Sequence, residues 1–151
     1  MRIVEGGLDD PRVIALLTIH VTRARAETAA CSAHALDVSG LKHPSIRFWT
    51  AWDGETVLGT AALKRLDAGH GEIKSMHVAE AARRKGAGSA LLRHVLAQAK
   101  AMGLTRVSLE TGSFAYFAPA RALYAKHGFV ECAPFVGYAP DPNSAFMTRL
   151  V

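Results

Sequence analysis

Cysteine is scarce in this sequence, and the two cysteines that occur are far apart. Cys31 and Cys132 lie outside any Cys-x-x-Cys or Cys/His motif. This spacing excludes a disulfide framework and gives no reason to expect a metal site. We therefore expect two reduced thiols and no metal cofactor.

Long hydrophobic runs are also missing. Apolar residues make up 50% of the 151-residue chain, but they are dispersed, and no uninterrupted stretch approaches the length of a membrane span. The segment Met1-Arg2-Ile3-Val4 does not resemble the start of a secretory leader. The sequence predicts one soluble, cytoplasmic domain of residues 1–151, long enough to bury a substantial core.

Acidic residues are outnumbered by basic ones, which gives a net charge of +5 and a calculated pI of 9.6. A basic surplus is typical of nucleic-acid-binding proteins. Here the Lys and Arg residues are scattered, apart from the cluster Arg83-Arg84-Lys85, and the sequence has no recognised nucleic-acid-binding motif. A small polyanionic ligand accounts for the cluster at least as well. We expect neither a nucleic-acid nor a membrane partner.

The stretch from residue 72 to residue 92 is the most informative part of the chain. Ile73–Val78 alternates like a strand, Arg83–Gly88 forms a basic glycine loop, and a strongly amphipathic helix follows. The first N–H groups of a helix have no intrahelical partner, so phosphate binds well beside them. A P-loop is excluded because its Gly-Lys-Ser/Thr ending is absent. The dinucleotide fingerprint is excluded because Leu91 stands in place of its third glycine.

Hydrophobic periodicity and turn residues predict an alternation of strands and helices along the chain. Strands are expected at about residues 2–5, 46–52, 57–63, 73–78, 106–110, 129–134 and 145–150. Helices are expected from residue 11 to about 30, within 31–41, between Gly88 and Gly103, and at 119–126. This order predicts an α/β (α+β) fold with a mixed sheet that carries helices on its faces.

Two motifs in the chain resemble those of one superfamily, the GCN5-related N-acetyltransferases (GNAT). Arg83-x-x-Gly86-x-Gly88 resembles its acyl-CoA-binding motif, and Val78 stands five residues earlier, as the strand end does in that superfamily. Tyr124 followed by Gly128-Phe129 resembles its second signature. Other segments, including Asp141-Pro-Asn-Ser144, are similar to a bacterial subgroup of acetyltransferases. Some members of that subgroup are labelled indole-3-acetic acid acetyltransferases.

The resemblance implies a single GNAT domain with a mostly antiparallel sheet of six or seven strands, about four flanking helices and splayed central strands. It implies acetyl-CoA as the cosubstrate and transfer of its acetyl group to an amine of a small molecule or peptide. The alternative is a non-catalytic acyl-CoA sensor, in which the same loop binds CoA without turnover of an acceptor. Homodimers are frequent in the superfamily, so a dimer is also possible.

The same resemblance assigns roles to individual residues. Tyr124 is the expected acid for the departing thiolate, and Glu72, six residues before Val78, is the expected base. A solvated carboxylate at the strand end, hydrogen-bonded to Lys74, is an equally good interpretation of Glu72. The alternative bases are His77, His34 and Glu110. The residues expected to bind CoA are Met76, His77, Val78, Arg83, Arg84, Lys85, Gly86, Ala87, Gly88 and Ser89.

The acceptor pocket is the part of the site that the sequence constrains least. Its candidate residues are His34, Asp37, Trp49 and Glu110. Aromatic side chains such as Tyr138 would suit an aromatic acceptor. Many GNAT members have an asparagine that touches the CoA arm seven residues before the tyrosine, whereas this chain has Phe117 there, and Glu80 replaces a common proline. We therefore assign Phe117 no CoA-binding role.

Overall fold

The computed structural model of the protein describes residues 1–26 and 38–151. Its strands are β1 (Arg2–Glu5), β2 (Ile46–Asp53), β3 (Thr56–Arg65), β4 (His70–Val78), β5 (Arg106–Gly112), β6 (Val130–Glu131) and β7 (Ser144–Leu150). Its α-helices are α1 (Pro11–Ala26), α2 (Val38–Leu41), α3 (Ala87–Ala101) and α4 (Ala118–Lys126). Short 3₁₀ helices, Glu80–Ala82 and Ala115–Phe117, precede α3 and α4.

The strands of the described residues form one seven-stranded sheet in the order β1-β2-β3-β4-β5-β7-β6. Every neighbouring pair is antiparallel except β4 and β5. Parallel strands need a long crossover, which α3 provides. The mixed sheet with flanking helices that the element order predicts is therefore confirmed, as is the mostly antiparallel pairing that the resemblance implies.

The apolar residues of β2 divide the core between the two faces of the sheet. Trp49 packs in a cluster with Leu91 of α3, whereas its neighbour Phe48 packs with Val13 and Leu17 of α1. Successive side chains of a strand point to opposite faces. Helix α3 therefore covers one face of the sheet and α1 covers the other.

Pairing between β4 and β5 extends over only the first half of β4. It begins with His70 opposite Arg106 and ends with Ile73 opposite Leu109. Beyond that point β4 continues along β3, while β5 continues along β7. The two central strands therefore separate after Ile73, as the resemblance implied, and a cleft opens between them.

A β-bulge lies in β4 where the strand borders this cleft. The β3 residues Thr60 and Ala62 lie opposite His77 and Lys74, so two residues of β4 oppose one residue of β3. Ser75, within the bulge, has a positive φ of 50°. Thr60 Oγ1 donates a hydrogen bond of 2.8 Å to the Ser75 carbonyl oxygen. The bulge bends β4 and changes the direction of its backbone groups beside the cleft.

The strand predicted for residues 129–134 is shorter than expected. Strand β6 has two residues, and one further bond joins the Cys132 N–H to the Phe146 carbonyl oxygen at 2.9 Å. Pro134 has no N–H to donate, so pairing along this edge stops before it. The connection from residue 132 to 143 then packs on β7, with the rings of Tyr138 and Phe146 5.5 Å apart.

Gly59 permits the close approach of β3 to the bulged end of β4. A Cβ at Gly59 would lie 2.7 Å from the His77 carbonyl oxygen. We predict that Gly59→Ala forces the strands apart and lowers the free energy of unfolding by about 1–3 kcal/mol, measured by denaturant titration. Gly137→Ala is the matched control, because no atom lies within 4 Å of the added methyl group. A loss no larger than that of the control would show that the sheet accommodates the methyl group.

Candidate active site

A cavity of about 710 Å³ lies between the separated ends of β4 and β5. It is lined by the second half of β4, the loop and first turn of α3, the end of β5, and α4. Most of the residues that the sequence analysis selects meet here, namely Glu72, Met76, His77, Val78, Arg83, Arg84, Gly86, Ala87, Gly88, Ser89, Glu110 and Tyr124. Lys85 is exposed and does not line the cavity.

The glycine loop presents the N-terminus of α3 to the cavity. Gly86, the N-cap residue, has a φ of 82° in the left-handed region and carries no side chain that caps the helix. The first N–H groups of α3 are therefore left for a ligand, in the positive end of the helix dipole. A Cβ at Gly88 would lie 3.2 Å from Leu123 Cδ2 and 3.4 Å from Val78 Cγ2. This glycine lets the first turn pack closely against α4 and β4.

Basic side chains surround this end of the cavity. Arg83 and Arg84 from the loop and Lys126 from α4 contribute to its lining. The Ser89 hydroxyl forms a hydrogen bond of 3.0 Å with His127 Nε2, so it also fastens the start of α3 to the end of α4. An uncapped helix N-terminus flanked by arginines fits a phosphate-bearing ligand.

Tyr124 is a buried phenol at the cavity wall. It is 5% exposed, and its ring packs edge-on against Phe129, with centroids 5.8 Å apart. Gly128, two residues after the end of α4, has a φ of +88°, and the Phe129 N–H donates to the Tyr124 carbonyl oxygen at 3.1 Å. Burial raises the pKa of Tyr124 well above its ordinary value. The hydroxyl therefore stays protonated and available as a hydrogen-bond donor.

Glu72, Lys74 and Tyr138, here called the Glu72 cluster, form a hydrogen-bonded triad beside the cavity. Glu72 Oε2 accepts from the Tyr138 hydroxyl at 2.6 Å and from Lys74 Nζ at 3.1 Å. Lys74 Nζ also donates to the Tyr138 oxygen at 3.2 Å. The Glu72 and Lys74 side chains are only 5% and 10% exposed. Burial, together with the Glu72 carboxylate, raises the pKa of Tyr138, so this phenol remains a donor.

The expected bond between Glu72 and Lys74 is present, but the expected solvated position is not, because the Glu72 side chain is only 5% exposed. The carboxylate is bonded to Lys74, and Glu72 lines the same cavity as Tyr124. The bond to Lys74 therefore does not remove Glu72 from the candidate site. Strand alternation places Glu72 and Lys74 on the same face of β4.

His20 of α1 and His77 of β4 pack against each other beside the cavity, with ring centroids 4.8 Å apart. Burial lowers the pKa of His20 to about 4. Burial, with repulsion from His20 and Arg83, lowers the pKa of His77 to about 3. Both imidazoles are therefore neutral at pH 7. So weak a base is a poor general base at that pH, which argues against His77 in this role.

Trp49, one of the acceptor candidates, does not line the cavity. Trp49 is 1% exposed, and its ring packs against His94 at 5.5 Å and against the Arg47 guanidinium at 5.0 Å. Because β3 lies between β2 and β4, Trp49 stays in the core and its position does not support contact with an acceptor. His34 and Asp37, together with Cys31, lie outside the described residues.

Sequence reasoning missed the partnerships that complete the site. Tyr138 was expected only as an aromatic wall of the acceptor pocket. The one available signal was the Glu72-x-Lys74 spacing, which puts both charges on one face of a strand.

Phe117 lines the cavity, and its ring occupies the space that a side chain at position 112 would need, so only Gly112 fits there.

The structure also bears on metals, thiols and membranes. Within residues 1–26 and 38–151, no three His, Cys, Asp or Glu side chains are grouped closely enough to hold a metal ion. Cys132 is a free, partly buried thiol. None of the helices in that part of the chain has the length and apolar character that a bilayer span requires.

The His20–His77 pair predicts a loss of stability in mild acid. These imidazoles stay neutral in the folded protein, whereas the unfolded chain binds their protons as the pH falls through about 6.5. Their contribution is therefore complete above about pH 7 and should fall by about 2 kcal/mol per imidazole at pH 5. His20→Leu should reduce the difference between unfolding free energies measured in urea at pH 7 and pH 5. Equal differences in variant and wild type would assign the acid sensitivity to other groups.

Known proteins are similar to the chain over most or nearly all of its length. The model of the acetyltransferase (GNAT) family matches residues 13–129. YsnE, an uncharacterized N-acetyltransferase of Bacillus subtilis (strain 168), is 44% identical over 149 residues, covering 99% of each chain. The IAA acetyltransferase of Azospirillum brasilense is 42% identical over 119 residues, covering 78% of this chain and 76% of that protein.

Solved structures share the fold. A protein of Klebsiella pneumoniae subsp. pneumoniae MGH 78578, assigned as an acyl-CoA N-acyltransferase, has a TM-score of 0.83 and 25% identity, covering 99% of this chain and 96% of that one. A Bacillus subtilis acetyltransferase solved in complex with CoA has a TM-score of 0.74 and 20% identity, with coverages of 99% and 98%. By its sequence relatives and its fold, the chain belongs to the acetyltransferase (GNAT) family and is an acyltransferase.

Proposed function

We propose that the protein transfers the acetyl group of acetyl-CoA to an amine of a small-molecule acceptor by direct attack. One observation carries this proposal: the first turn of α3, the bulged end of β4, Tyr124 and Glu72 line the same cavity. Direct transfer requires the donor and the acceptor to be held together, between a hydrogen-bond donor and a base. Family membership, and a fold shared with a CoA-bound acetyltransferase, support acetyl-CoA as the cosubstrate.

The first turn of α3 would hold the pyrophosphate of CoA. The N–H groups that follow Gly86 have no intrahelical partners, and the helix dipole favours negative charge beside them. Arg83 and Arg84 line the cavity next to this turn and supply compensating charge. The site therefore offers donors and charge for two adjacent phosphates.

The second half of β4 would bind the pantetheine arm as an additional strand. Beyond Ile73, β5 no longer pairs with β4, so this side of the strand faces the cavity instead of a neighbour. An extended ligand with amide groups can form strand-like hydrogen bonds there. The bulge turns the backbone near Met76 and His77, where an N–H would donate to the thioester carbonyl oxygen as negative charge develops on it.

Tyr124 and Glu72 would handle the protons of the reaction. The amine nitrogen attacks the thioester carbon, a C–N bond forms, and the C–S bond breaks. Glu72 accepts the proton that the nitrogen loses, directly or through a water molecule. The Tyr124 hydroxyl gives its proton to the departing sulfur, which leaves as the thiol. Tyr124 then takes up a proton from solvent, to which Glu72 releases the proton that it accepted. Because burial raises the pKa of Tyr124, this phenol is in its donor form throughout the working pH range.

The acceptor end of the cavity is polar and partly aromatic. It combines the Glu72 cluster with Glu110. Aromatic rings and a few charged groups suit a compact acceptor with both apolar and polar parts. Because a relative is named IAA acetyltransferase, indole-3-acetic acid belongs among the compounds to be tested.

The decisive experiment measures thiol release from acetyl-CoA by purified protein. The panel contains amines, amino acids, polyamines, aminoglycosides, peptides and indole-3-acetic acid, and CoA binding is titrated in parallel. Turnover with one class of acceptor would establish the reaction and identify the pocket's preference. CoA binding without turnover of any compound would favour a sensor, and a lack of CoA binding would contradict the assignment of the α3 loop.

Replacement of the phenol tests the role of Tyr124. We expect Tyr124→Phe to lower kcat by about a hundredfold, because the departing sulfur loses its donor, while the Kd for CoA remains within about twofold. Steady-state thiol release gives kcat, and calorimetric titration gives the Kd. An unchanged kcat would remove Tyr124 from the reaction.

Substitution at the N-cap of α3 tests the phosphate site. Gly86→Leu places a side chain at a φ of 82° and beside the bound pyrophosphate, so we expect CoA affinity to fall about tenfold or more. Gly54→Leu is the matched control, because Gly54 also has a positive φ and open space but lies in the β2–β3 turn. Equal CoA affinity in the two variants would contradict the proposed cradle.

A further inference from the structure

Tyr138 reaches the cavity from a part of the chain remote from Glu72. It lies in the connection between β6 and β7, and its ring packs between Phe135 and Phe146, with centroid distances of 5.3 and 5.5 Å. This packing fixes the direction of the phenol. The hydroxyl ends 2.6 Å from Glu72 Oε2, a short bond of the kind that a phenol forms with a carboxylate.

We infer that Tyr138 is a positioning residue that holds the Glu72 carboxylate in the orientation needed to accept the proton of the acceptor amine. This inference rests on the proposed function, in which Glu72 is the base. Lys74 assists, because its Nζ donates to both Glu72 Oε2 and the Tyr138 oxygen. The Lys74 ammonium, the Tyr138 hydroxyl and Glu72 Oε2 are therefore joined in a closed ring of hydrogen bonds.

The geometry of the bonds separates positioning from proton transfer. Both donors use the same carboxylate oxygen, Oε2. The carboxyl group is thereby oriented, while Oε1 is left to accept a proton from the acceptor or from a bridging water.

Stability alone gives a poor reason for this arrangement. Moving a carboxylate and an ammonium out of water costs several kcal/mol per ion, and their attraction in the interior often does no more than offset that cost. An apolar pair would serve the sheet at least as well. A fully bonded ion pair on a cavity wall, with a phenol supplied by a distant segment, is better explained by its effect on Glu72.

Other charged and polar groups near Glu72 lie on three strands. Lys74 is on the same strand, Lys64 lies opposite on β3, and Ser108 lies opposite on β5. Glu110 of β5 lines the same cavity and is close enough to Tyr138 to raise the pKa of that phenol. Among these groups, the Tyr138 hydroxyl makes the shortest bond to Glu72.

The test compares pH–rate profiles of kcat/KM for the wild type, Tyr138→Phe, Glu72→Gln and the double variant. The acceptor is the one that the panel identifies. Tyr138→Phe keeps the packed ring and removes only the donor, and a carboxylate that loses a donor is easier to protonate. We expect the acid limb to move to higher pH and kcat/KM at pH 6 to fall about three- to tenfold. In the Glu72→Gln background, the same substitution should change kcat/KM less than twofold, because its target is gone.

Ser113→Ala is the matched control for a purely structural role. The Ser113 hydroxyl donates to the Pro142 carbonyl oxygen at 2.6 Å, so its loss loosens the same β6–β7 connection without touching Glu72. Its acid limb should coincide with that of the wild type. If Ser113→Ala displaces the acid limb as far as Tyr138→Phe does, the inference is wrong.

The remaining outcomes distinguish the positioning role of Tyr138 from the proposed role of Glu72 as the base. If Glu72→Gln abolishes the acid limb but Tyr138→Phe leaves it in place, Glu72 is the base and the positioning role is wrong. Equal effects of Tyr138→Phe with and without the Glu72 carboxylate would lead to the same conclusion. If Glu72→Gln retains the wild-type profile, Glu72 is not the base, and both statements fall.

Discussion

The separation of β4 from β5 beyond Ile73 is the constraint on which most of the site depends. Up to that residue, the two strands satisfy each other's backbone groups, and beyond it β4 is paired on one side only. Polar backbone left without a strand partner is costly unless water or a ligand bonds to it. The bulge at Ser75 adds backbone strain, and the Thr60 hydroxyl bonds to its carbonyl group. Beyond Ile73, the backbone N–H and carbonyl groups on one side of β4 are therefore available for hydrogen bonds to an extended ligand.

Charge divides the resulting cavity into two unlike ends. Arginines and an uncapped helix N-terminus surround one end, whereas Glu72 and Glu110 line the other, with Lys74 bonded to Glu72. A polyanionic donor is therefore favoured at the first end and disfavoured at the second, so its orientation in the cavity is set by electrostatics before any close contact forms. The proposed proton acceptor, Glu72, lies at the second end, and the buried Tyr124 lines the same cavity.

The sequence predicted the features whose residues are contiguous. The Arg83-to-Gly88 loop and the Tyr124-to-Phe129 segment are local, and hydrogen bonds within or next to α3 and α4 explain their spacing. Pairs that the tertiary structure assembles were not predictable in this way. The residues of the Glu72–Tyr138 bond are 66 positions apart in the chain. Trp49 sits in a strand whose two faces are both buried, so periodicity cannot say whether its side chain faces the cavity or the core.

The position of β7 in the sheet has a consequence for the order in which the cavity is assembled. Strand β7 follows every other described element in sequence, yet it lies between β5 and β6. Until residues 144–150 have left the ribosome, β6 has no strand to pair with, and the outer edge of β5 stays open. The connection that carries Tyr138 is likewise not anchored on Phe146 before that moment. A nascent chain would thus complete the acceptor end of the cavity only when β7 inserts.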